Sequence, residues 1–211
     1  MSIINPASIP FEFCAIRFLI MWESQEKRLN AVMSKNADIK DLRAALAYFK
    51  VARNFKGLGL DETAKKILNL VQNARQSKNI PSERRVVDLA ESFLVNGFQM
   101  NLSAASKLLW LSDQSPYVIY DSRTVSSLSK MELLSRGSGY AEFCLAWKKA
   151  YRKCLPEIRR ALNGLPNELP SARKFIPRLE ISNEAIQLMV KKPWFRERVF
   201  DVYLWEMSDY I

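Results

Sequence analysis

The feature that most constrains the fold is the spacing of the apolar residues, which recur three or four positions apart along most of the chain. This spacing places apolar side chains on one face of an α-helix, and no segment shows the sustained apolar–polar alternation of a half-buried strand. The low content of turn-forming residues, 6 Gly and 9 Pro in 211 residues, also argues against a turn-rich β-architecture. We therefore expect an all-α protein, with helices over 38–56, 63–75, 81–95, 102–112, 141–162, 183–191 and 193–207 and a further helix that starts at Ser122.

Turn and cap signals separate these helices. The turn Gly57-Leu58-Gly59-Leu60 ends the helix 38–56, and Asp61 is expected to be the N-cap of the next helix. Residues 116–120 form a short extended apolar stretch, after which Asp121-Ser122 is a helix-start signal. Pro156 is expected to kink or divide the helix 141–162, and residues 163–177, which hold three prolines, are the expected connector.

The net charge favours a polyanionic partner. The 32 Lys and Arg residues exceed the 22 Asp and Glu residues, which gives a formal net charge of +10. Basic groups that contact phosphates release condensed counterions, and this release favours binding to nucleic acid. A basic protein that is merely soluble is the alternative, and membrane surfaces and acidic proteins are less favoured partners. We expect nucleic acid as the partner.

The chain contains no histidine, which excludes several kinds of chemistry. Ser-His-Asp catalysis, Cys-His catalysis and His-based metal sites are impossible within it. Cys14, Cys144 and Cys154 are widely spaced without a CxxC pair, so we expect reduced thiols in a cytoplasmic protein, with no metal site and no cofactor. The apolar stretch 11–22 is interrupted by charges and too short to span a bilayer, so no membrane partner is expected. It also lacks a basic lead-in and a small-residue cleavage site, so no signal peptide is expected.

Three segments occur in an order that resembles a known family. They are Asn54-Phe55-Lys56-Gly57-Leu58-Gly59-Leu60-Asp61-Glu62-Thr63-Ala64, Ser103-Ala104-Ala105-Ser106-Lys107-Leu108-Leu109-Trp110 and Pro116-Tyr117-Val118-Ile119-Tyr120-Asp121-Ser122-Arg123-Thr124-Val125. Their order and spacing resemble the helix-hairpin-helix DNA glycosylase superfamily, which includes the 8-oxoguanine and endonuclease III-type enzymes, over roughly residues 40–130. The resemblance implies a single helical domain over 1–211 with its core at about 40–130. The helical remainder, 1–39 and 131–211, would pack as a second lobe across a cleft.

The resemblance implies a catalytic role for Asp121. In the family, the aspartate that ends the Pro-x-x-x-x-Asp segment is catalytic, and Asp121 is the residue at this position. Breaking an N-glycosidic bond builds positive charge on the sugar, which a nearby carboxylate stabilises electrostatically. The same carboxylate can orient or deprotonate the attacking water. Alternatively, Asp121 only caps the helix that starts at Ser122, a role worth about 1 kcal/mol.

Two departures from the family pattern narrow the expected chemistry. Bifunctional members carry a Schiff-base lysine eighteen positions before the aspartate, where this chain has Ser103. Lys107 lies one helical turn later and either reaches the same cleft or forms a salt bridge on the helix surface. The family has a Gly-x-Gly hairpin turn that contacts a DNA phosphate, and the corresponding stretch of this chain has only Gly97, which is out of register. Gly57 and Gly59, with Lys56 beside them, form an alternative phosphate-contact loop. A monofunctional glycosylase fits these residues better than a strand-cutting one.

Basic residues continue through the second half of the chain. The segment Trp147-Lys148-Lys149-Ala150-Tyr151-Arg152-Lys153 interleaves aromatic and basic side chains, and the positive trend continues through Arg159, Arg160, Arg173, Lys174 and Arg178. These cations either contact phosphates while the rings contact bases, or form a solvated face over a buried aromatic stripe. Ser103 and Arg123 are further candidates for nucleic-acid contact. The large side chains of 194–205 suggest a deeply docked helix, with a base-recognition pocket as the alternative, and Asp201 would be of interest if buried near a cleft.

The sequence thus predicts a monomeric, DNA-binding, monofunctional N-glycosylase-like hydrolase that excises a flipped base and needs no cofactor. The alternatives are a catalytically inactive nucleic-acid-binding protein on the same scaffold and a helical protein-interaction module.

Overall fold

The computed structural model describes residues 9–175 and 181–209, with backbone only for 171–175, and no residue in these ranges lies in a β-strand. The predicted all-α class is therefore confirmed. The α-helices are α1 Phe11–Met21, α2 Lys27–Met33, α3 Ile39–Tyr48, α4 Asp61–Gln76, α5 Ser82–Val95, α6 Leu102–Ser112, α7 Ser122–Lys130, α8 Tyr140–Phe175, α9 Asn183–Met189 and α10 Pro193–Met207. A π-helical turn, Trp22–Glu26, joins α1 to α2, and a 3-10 turn, Ala52–Asn54, follows α3. None of the helices in these ranges is long and apolar enough to cross a membrane.

The chain forms two compact units. The central unit consists of Glu26–Asp121 and Gly139–Cys144. The flanking unit consists of the described parts of Met1–Gln25, Ser122–Ser138 and Leu145–Ile211. The central unit therefore starts earlier than the predicted core, which began near residue 40, and its main segment ends at Asp121 rather than near residue 130.

The central unit is built around α6, which packs against α2, α3, α4 and α5. Every residue of α6 from Ala104 to Ser112 is buried, because helices cover it on several sides. The neighbouring helices contribute apolar stripes at helical spacing: Ala64, Ile67, Leu68 and Val71 on α4, and Val86, Leu89, Ala90 and Phe93 on α5. Burying such stripes against one another supplies most of the stability of short helices.

The flanking unit is built around α10, which packs against α1 and α7. Its buried apolar side chains lie on nearly every side of the helix, as expected for a core helix: Phe195, Val199, Phe200, Val202, Tyr203, Leu204 and Met207. Aromatic contacts link α10 to α1, with ring centroids 4.7 Å apart for Phe11 and Tyr203 and 5.1 Å apart for Phe18 and Phe195. The expectation of a deeply docked terminal helix is confirmed.

Two predicted helix boundaries differ from the structure. The helix expected over 38–56 ends at Tyr48, and Lys50 adopts a left-handed backbone with φ of 55°, which a continuing α-helix does not allow. Asp61 was expected to be an N-cap but lies in the first turn of α4, where Leu60 occupies the N-cap position. The carboxylate of Asp61 instead accepts a hydrogen bond from Arg43 at 2.8 Å.

The expectation of a connector at 163–177 is wrong for residues 163–175, which continue α8 through Pro166 and Pro170; residues 176 and 177 lie outside the described ranges. Pro156 does not divide the helix either. The reason lies in packing. Ile158, Leu162, Leu165 and Leu169 are spaced three or four positions apart and are at most 1% exposed. Burial of these side chains offsets the backbone hydrogen bonds that the prolines remove, so tertiary packing overrides the local helix-breaking signal.

Candidate functional site

The candidate site lies in the central unit, where α6 provides a fixed platform. The side-chain oxygen of Asn101 caps α6 by accepting a hydrogen bond from the N–H of Ala104 at 2.8 Å. At the other end, the amide nitrogen of Asn30 donates to the carbonyl of Leu111 at 2.8 Å. Because both ends are tied and the helix is buried between them, side chains on α6 have well-defined positions.

The extended segment that leads to Asp121 is attached to this platform. The N–H of Tyr120 donates to the hydroxyl of Ser106 on α6 at 2.9 Å. The hydroxyl of Tyr140 donates to the carbonyl of Val118 at 2.6 Å, and burial raises the pKa of Tyr140 well above its ordinary value, so this donor keeps its proton. The ring of Tyr120 packs edge-on against Phe143, with 4.9 Å between the ring centroids. These contacts place Asp121 at the start of α7 with little freedom.

Asp121 forms an ion pair with Lys107. We call the three residues Asp121, Lys107 and Ser103 the Asp121 site. The ammonium nitrogen of Lys107 lies 2.8 Å from Oδ2 of Asp121 and donates to Oγ of Ser103 at 3.0 Å. The side chain of Lys107 is 8% exposed, whereas that of Asp121 is 23% exposed. The ammonium also lies 5.7 Å from the ring centroid of Phe49, a cation–π contact.

The structure therefore brings together three residues that sequence reasoning had singled out separately. Lys107 forms a salt bridge, but it is buried and not on the helix surface as one alternative had it. Sequence reasoning missed Phe49, Ser106 and Tyr140, which position or border the site. Only Ser106 carried a local signal, because it lies beside Lys107 on α6; contacts from other helices have none in the sequence.

The arrangement has a clear chemical capacity. The ammonium of Lys107 fixes the orientation of the Asp121 carboxylate through their 2.8 Å contact. The partial exposure of Asp121 leaves the carboxylate accessible to a molecule outside the protein. A carboxylate that is positioned and accessible in this way can stabilise a developing positive charge or orient a water molecule.

The loop proposed as a phosphate contact is organised by Arg43, which sequence reasoning missed. The guanidinium of Arg43 donates to the carbonyl of Leu58 at 3.0 Å and to that of Gly59 at 2.8 Å. Gly57 adopts a φ of +80°, which explains the need for glycine at this position. The side chain of Lys56 is exposed, but Asp61 and Glu62 follow in the first turn of α4, and their charges disfavour a phosphate there.

Gly97 has a structural role in the turn after α5. Its φ is +86°, its N–H donates to the carbonyl of Leu94, and the N–H of Phe98 donates to the carbonyl of Phe93, both at 3.0 Å. This pattern is the Schellman motif that commonly ends a helix at a glycine. The position of Gly97 therefore follows from the end of α5.

In the flanking unit, the basic segment of α8 separates its rings from its cations. Trp147 is buried and stacks on Tyr151 at a centroid distance of 5.1 Å. Its indole N–H donates to Asp201 on α10 at 2.7 Å. Lys149, Arg152, Lys153, Arg159 and Arg160 are exposed, and Lys148 is half-buried. The side chains of Arg173 and Lys174, and Arg178 as a whole, lie outside the described residues.

The remaining candidates of the flanking unit are engaged in internal contacts. Arg123 lies over the ring of Trp205, 3.8 Å from its centroid, and forms an ion pair with Asp209. Asp201 is buried, with Trp147 as its hydrogen-bond donor and Arg198 3.9 Å away. Among the residues in the described ranges, no group of three or more Cys, Asp or Glu side chains is arranged to hold a metal ion.

Comparison with known proteins assigns the chain to no family. Neither a family model, nor a curated protein, nor a solved structure matches the chain. What the structure defines is an all-helical chain of two compact units with an ion-paired, partly exposed aspartate in one of them.

Proposed function

We propose that the protein is a monofunctional DNA N-glycosylase-like hydrolase in which Asp121 is the catalytic carboxylate. The observation that carries this proposal is the Asp121 site itself. A single carboxylate stands at the end of a firmly held extended segment, partly exposed and paired with a buried lysine. This is the position at which the resemblance to the helix-hairpin-helix glycosylases places the catalytic aspartate.

In the proposed reaction, the target base leaves the stack and its N-glycosidic bond to the sugar breaks. The electron pair of that bond leaves with the base, and the positive charge that develops on the sugar is stabilised by the carboxylate of Asp121. Water then adds at the sugar carbon, the proton that it loses is accepted by the carboxylate or by solvent, and the departing base takes up a proton from solvent. Every atom of the products comes from the DNA and water, so no cofactor is required.

The contacts of Lys107 support base removal without strand cleavage. A lysine that forms a Schiff base attacks as the neutral amine, with a free electron pair on nitrogen. In this structure the nitrogen of Lys107 donates to Ser103 and pairs with Asp121, so it is held by two contacts that it would have to leave in order to attack a sugar carbon. We therefore assign Lys107 the role of a positioning residue, which holds the carboxylate of Asp121 in place.

The proposal is tested by incubating the protein with duplex oligonucleotides that each carry one damaged or modified base. We expect free base to be released from at least one duplex, with strand breaks that appear only after alkali treatment. The Asp121→Asn variant should bind this duplex as well as the wild type does and should release base far more slowly. Wild-type rates in the variant would exclude Asp121 as the catalytic group.

One observation favours a second candidate, a nucleic-acid-binding protein without catalysis. Oδ2 of Asp121 is occupied by Lys107, so the pair can be understood as a structural contact that fixes the start of α7. This function predicts salt-dependent DNA binding by the wild type with no base release from any duplex. The same oligonucleotide experiment therefore distinguishes the two candidates.

A further inference from the structure

Five exposed cations on α8 have no role in the Asp121 site. They are Lys149, Arg152, Lys153, Arg159 and Arg160, which we call the α8 stripe. None of the five forms an ion pair with a residue in the described ranges. Unpaired surface cations of one sign create a local positive potential that attracts a polyanion. Lys148 is excluded from the stripe because it is half-buried and its charge acts on Glu197 of α10.

The five cations lie along one face of a single rigid element. The positions 149, 152, 153, 159 and 160 fall within about a third of the helix circumference at 100° per residue. The pairs Arg152–Lys153 and Arg159–Arg160 are separated by seven residues, or about 10 Å along the helix axis. Glu157 is the only acidic residue between 145 and 163, so the stripe is hardly neutralised by its own helix.

The structure also shows what the stripe lacks. Trp147 and Tyr151, the aromatic residues of this segment, contact Phe200 of α10 with centroid distances of 5.2 and 5.6 Å. Proteins that bind single strands stack bases on exposed rings, and helices that bind membranes insert large apolar side chains. Between 149 and 160 the exposed residues are the five cations, Pro156 and Glu157. Leu145, 68% exposed, is an apolar side chain one turn before Lys149, but between 149 and 160 the stripe offers phosphate-binding cations without an exposed ring.

We propose that the α8 stripe binds the sugar-phosphate backbone of double-stranded DNA without reading its sequence. The proposal rests on the proposed function only for the identity of the polyanion and not on any role of Asp121. It also explains how the chain can hold DNA although its hairpin has a single glycine, which is used to end α5.

The test compares the salt dependence of duplex binding for two variants of equal charge. The stripe variant is Lys149→Gln/Arg152→Gln/Lys153→Gln, and the control is Lys40→Gln/Lys65→Gln/Lys78→Gln, whose three lysines are exposed in the central unit. Glutamine favours helices, so both variants should keep the wild-type circular dichroism. We expect the slope of log affinity against log salt to become shallower by about 2 to 3 in the stripe variant. The control should retain the wild-type slope, and two duplexes of unrelated sequence should give equal results.

Equal slopes for the stripe variant and the control would overturn the proposal. So would a stripe-dependent preference for a single strand of the same length, or for phosphatidylserine vesicles, over the duplex. The Asp121→Asn protein is measured in parallel and should bind with the wild-type slope. If no duplex loses a base but the stripe variant still shows the shallower slope, then the proposed catalysis fails and the α8 stripe stands.

Discussion

At the residue scale, two adjacent residues of α6 hold the end of the extended segment that leads to Asp121. Ser106 accepts the N–H of Tyr120, and Lys107 pairs with the next residue, Asp121. The two contacts fix both the backbone and the carboxylate at the end of the extended segment. The side chain of Asp121 is more exposed than that of Lys107.

Replacing Lys107 by methionine should destabilise the protein by about 2 to 3 kcal/mol, because it leaves a partly buried carboxylate without its cation. Urea denaturation measures the free energy of unfolding. Lys65→Met, on the exposed side of α4, is the matched control and should change this free energy by less than about 0.5 kcal/mol. Equal effects of the two substitutions would show that the ion pair contributes nothing to stability.

Glu197 on α10 should make stability depend on pH in a defined direction. Burial raises the pKa of Glu197, although the charges of Arg196 and Lys148 act to lower it. Because the folded state disfavours the ionised form, this residue costs stability above its folded pKa. The cost disappears as pH falls below the unfolded pKa. Glu197→Gln should therefore stabilise the protein at pH 7, with a gain that shrinks toward pH 4.

Thermal denaturation of Glu197→Gln at several pH values measures this effect. Glu184 on α9 provides a control of opposite sign, since hydrogen bonds from its own backbone N–H and from Ser182 lower its pKa. Glu184→Gln should lower the melting temperature at pH 7. A Glu197→Gln protein that is less stable than the wild type at pH 7 would contradict the assigned cause.

At the element scale, α8 shows how tertiary packing decides the length of a helix. Its prolines predicted a connector, yet the helix runs to Phe175 with Leu162, Leu165 and Leu169 buried. The sequence predicted the extent of α5, α6 and α10 well, because each of these helices has both a start signal and apolar residues that are buried along it. The sequence of α8 also contains a stripe of apolar residues at helical spacing. Its prolines disfavour a helix locally, so the sequence alone predicted a connector.

Truncating Leu165 tests whether the proline-containing half of α8 is packed. Leu165 is 0% exposed, so Leu165→Ala should lower the free energy of unfolding by about 3 kcal/mol. Leu145, on the same helix, is 68% exposed, and Leu145→Ala should change it by less than about 0.5 kcal/mol. If residues 163–175 formed a loop instead of a packed helix, both substitutions would change the free energy of unfolding by a similarly small amount.

Two of the three exposed glycines that were considered for phosphate contact should respond differently to alanine. Gly97 has a φ of +86°, so Gly97→Ala should cost about 1 to 2 kcal/mol even though nothing lies within 4 Å of an added Cβ. Gly59 lies outside the left-handed region and is equally open, so Gly59→Ala should be neutral or stabilise by about 0.4 to 1 kcal/mol. Urea denaturation distinguishes them, and an equal response would contradict the Schellman role of Gly97.

At the scale of the whole molecule, the sequence predicts the fold class better than the site. Helical periodicity sufficed for an all-α chain, and the order of motifs singled out Asp121. The pairing of Asp121 with Lys107 was not predictable, because it joins residues 14 positions apart through a turn whose path depends on Ser106 and Tyr140. The separation of rings from cations on α8, by contrast, was one of the two alternatives that the sequence predicted, and only the partner of the rings, Phe200 of α10, was not predictable.

The central claim is that Asp121 breaks an N-glycosidic bond, and the rate of base release under single-turnover conditions tests it most directly. The comparison is between Asp121→Asn and Asp113→Asn, an equal charge change at an exposed residue of the same unit. We expect Asp121→Asn to be slower by at least about a hundredfold, with unchanged DNA affinity, and Asp113→Asn to match the wild type. Base release at the wild-type rate by Asp121→Asn would contradict the claim.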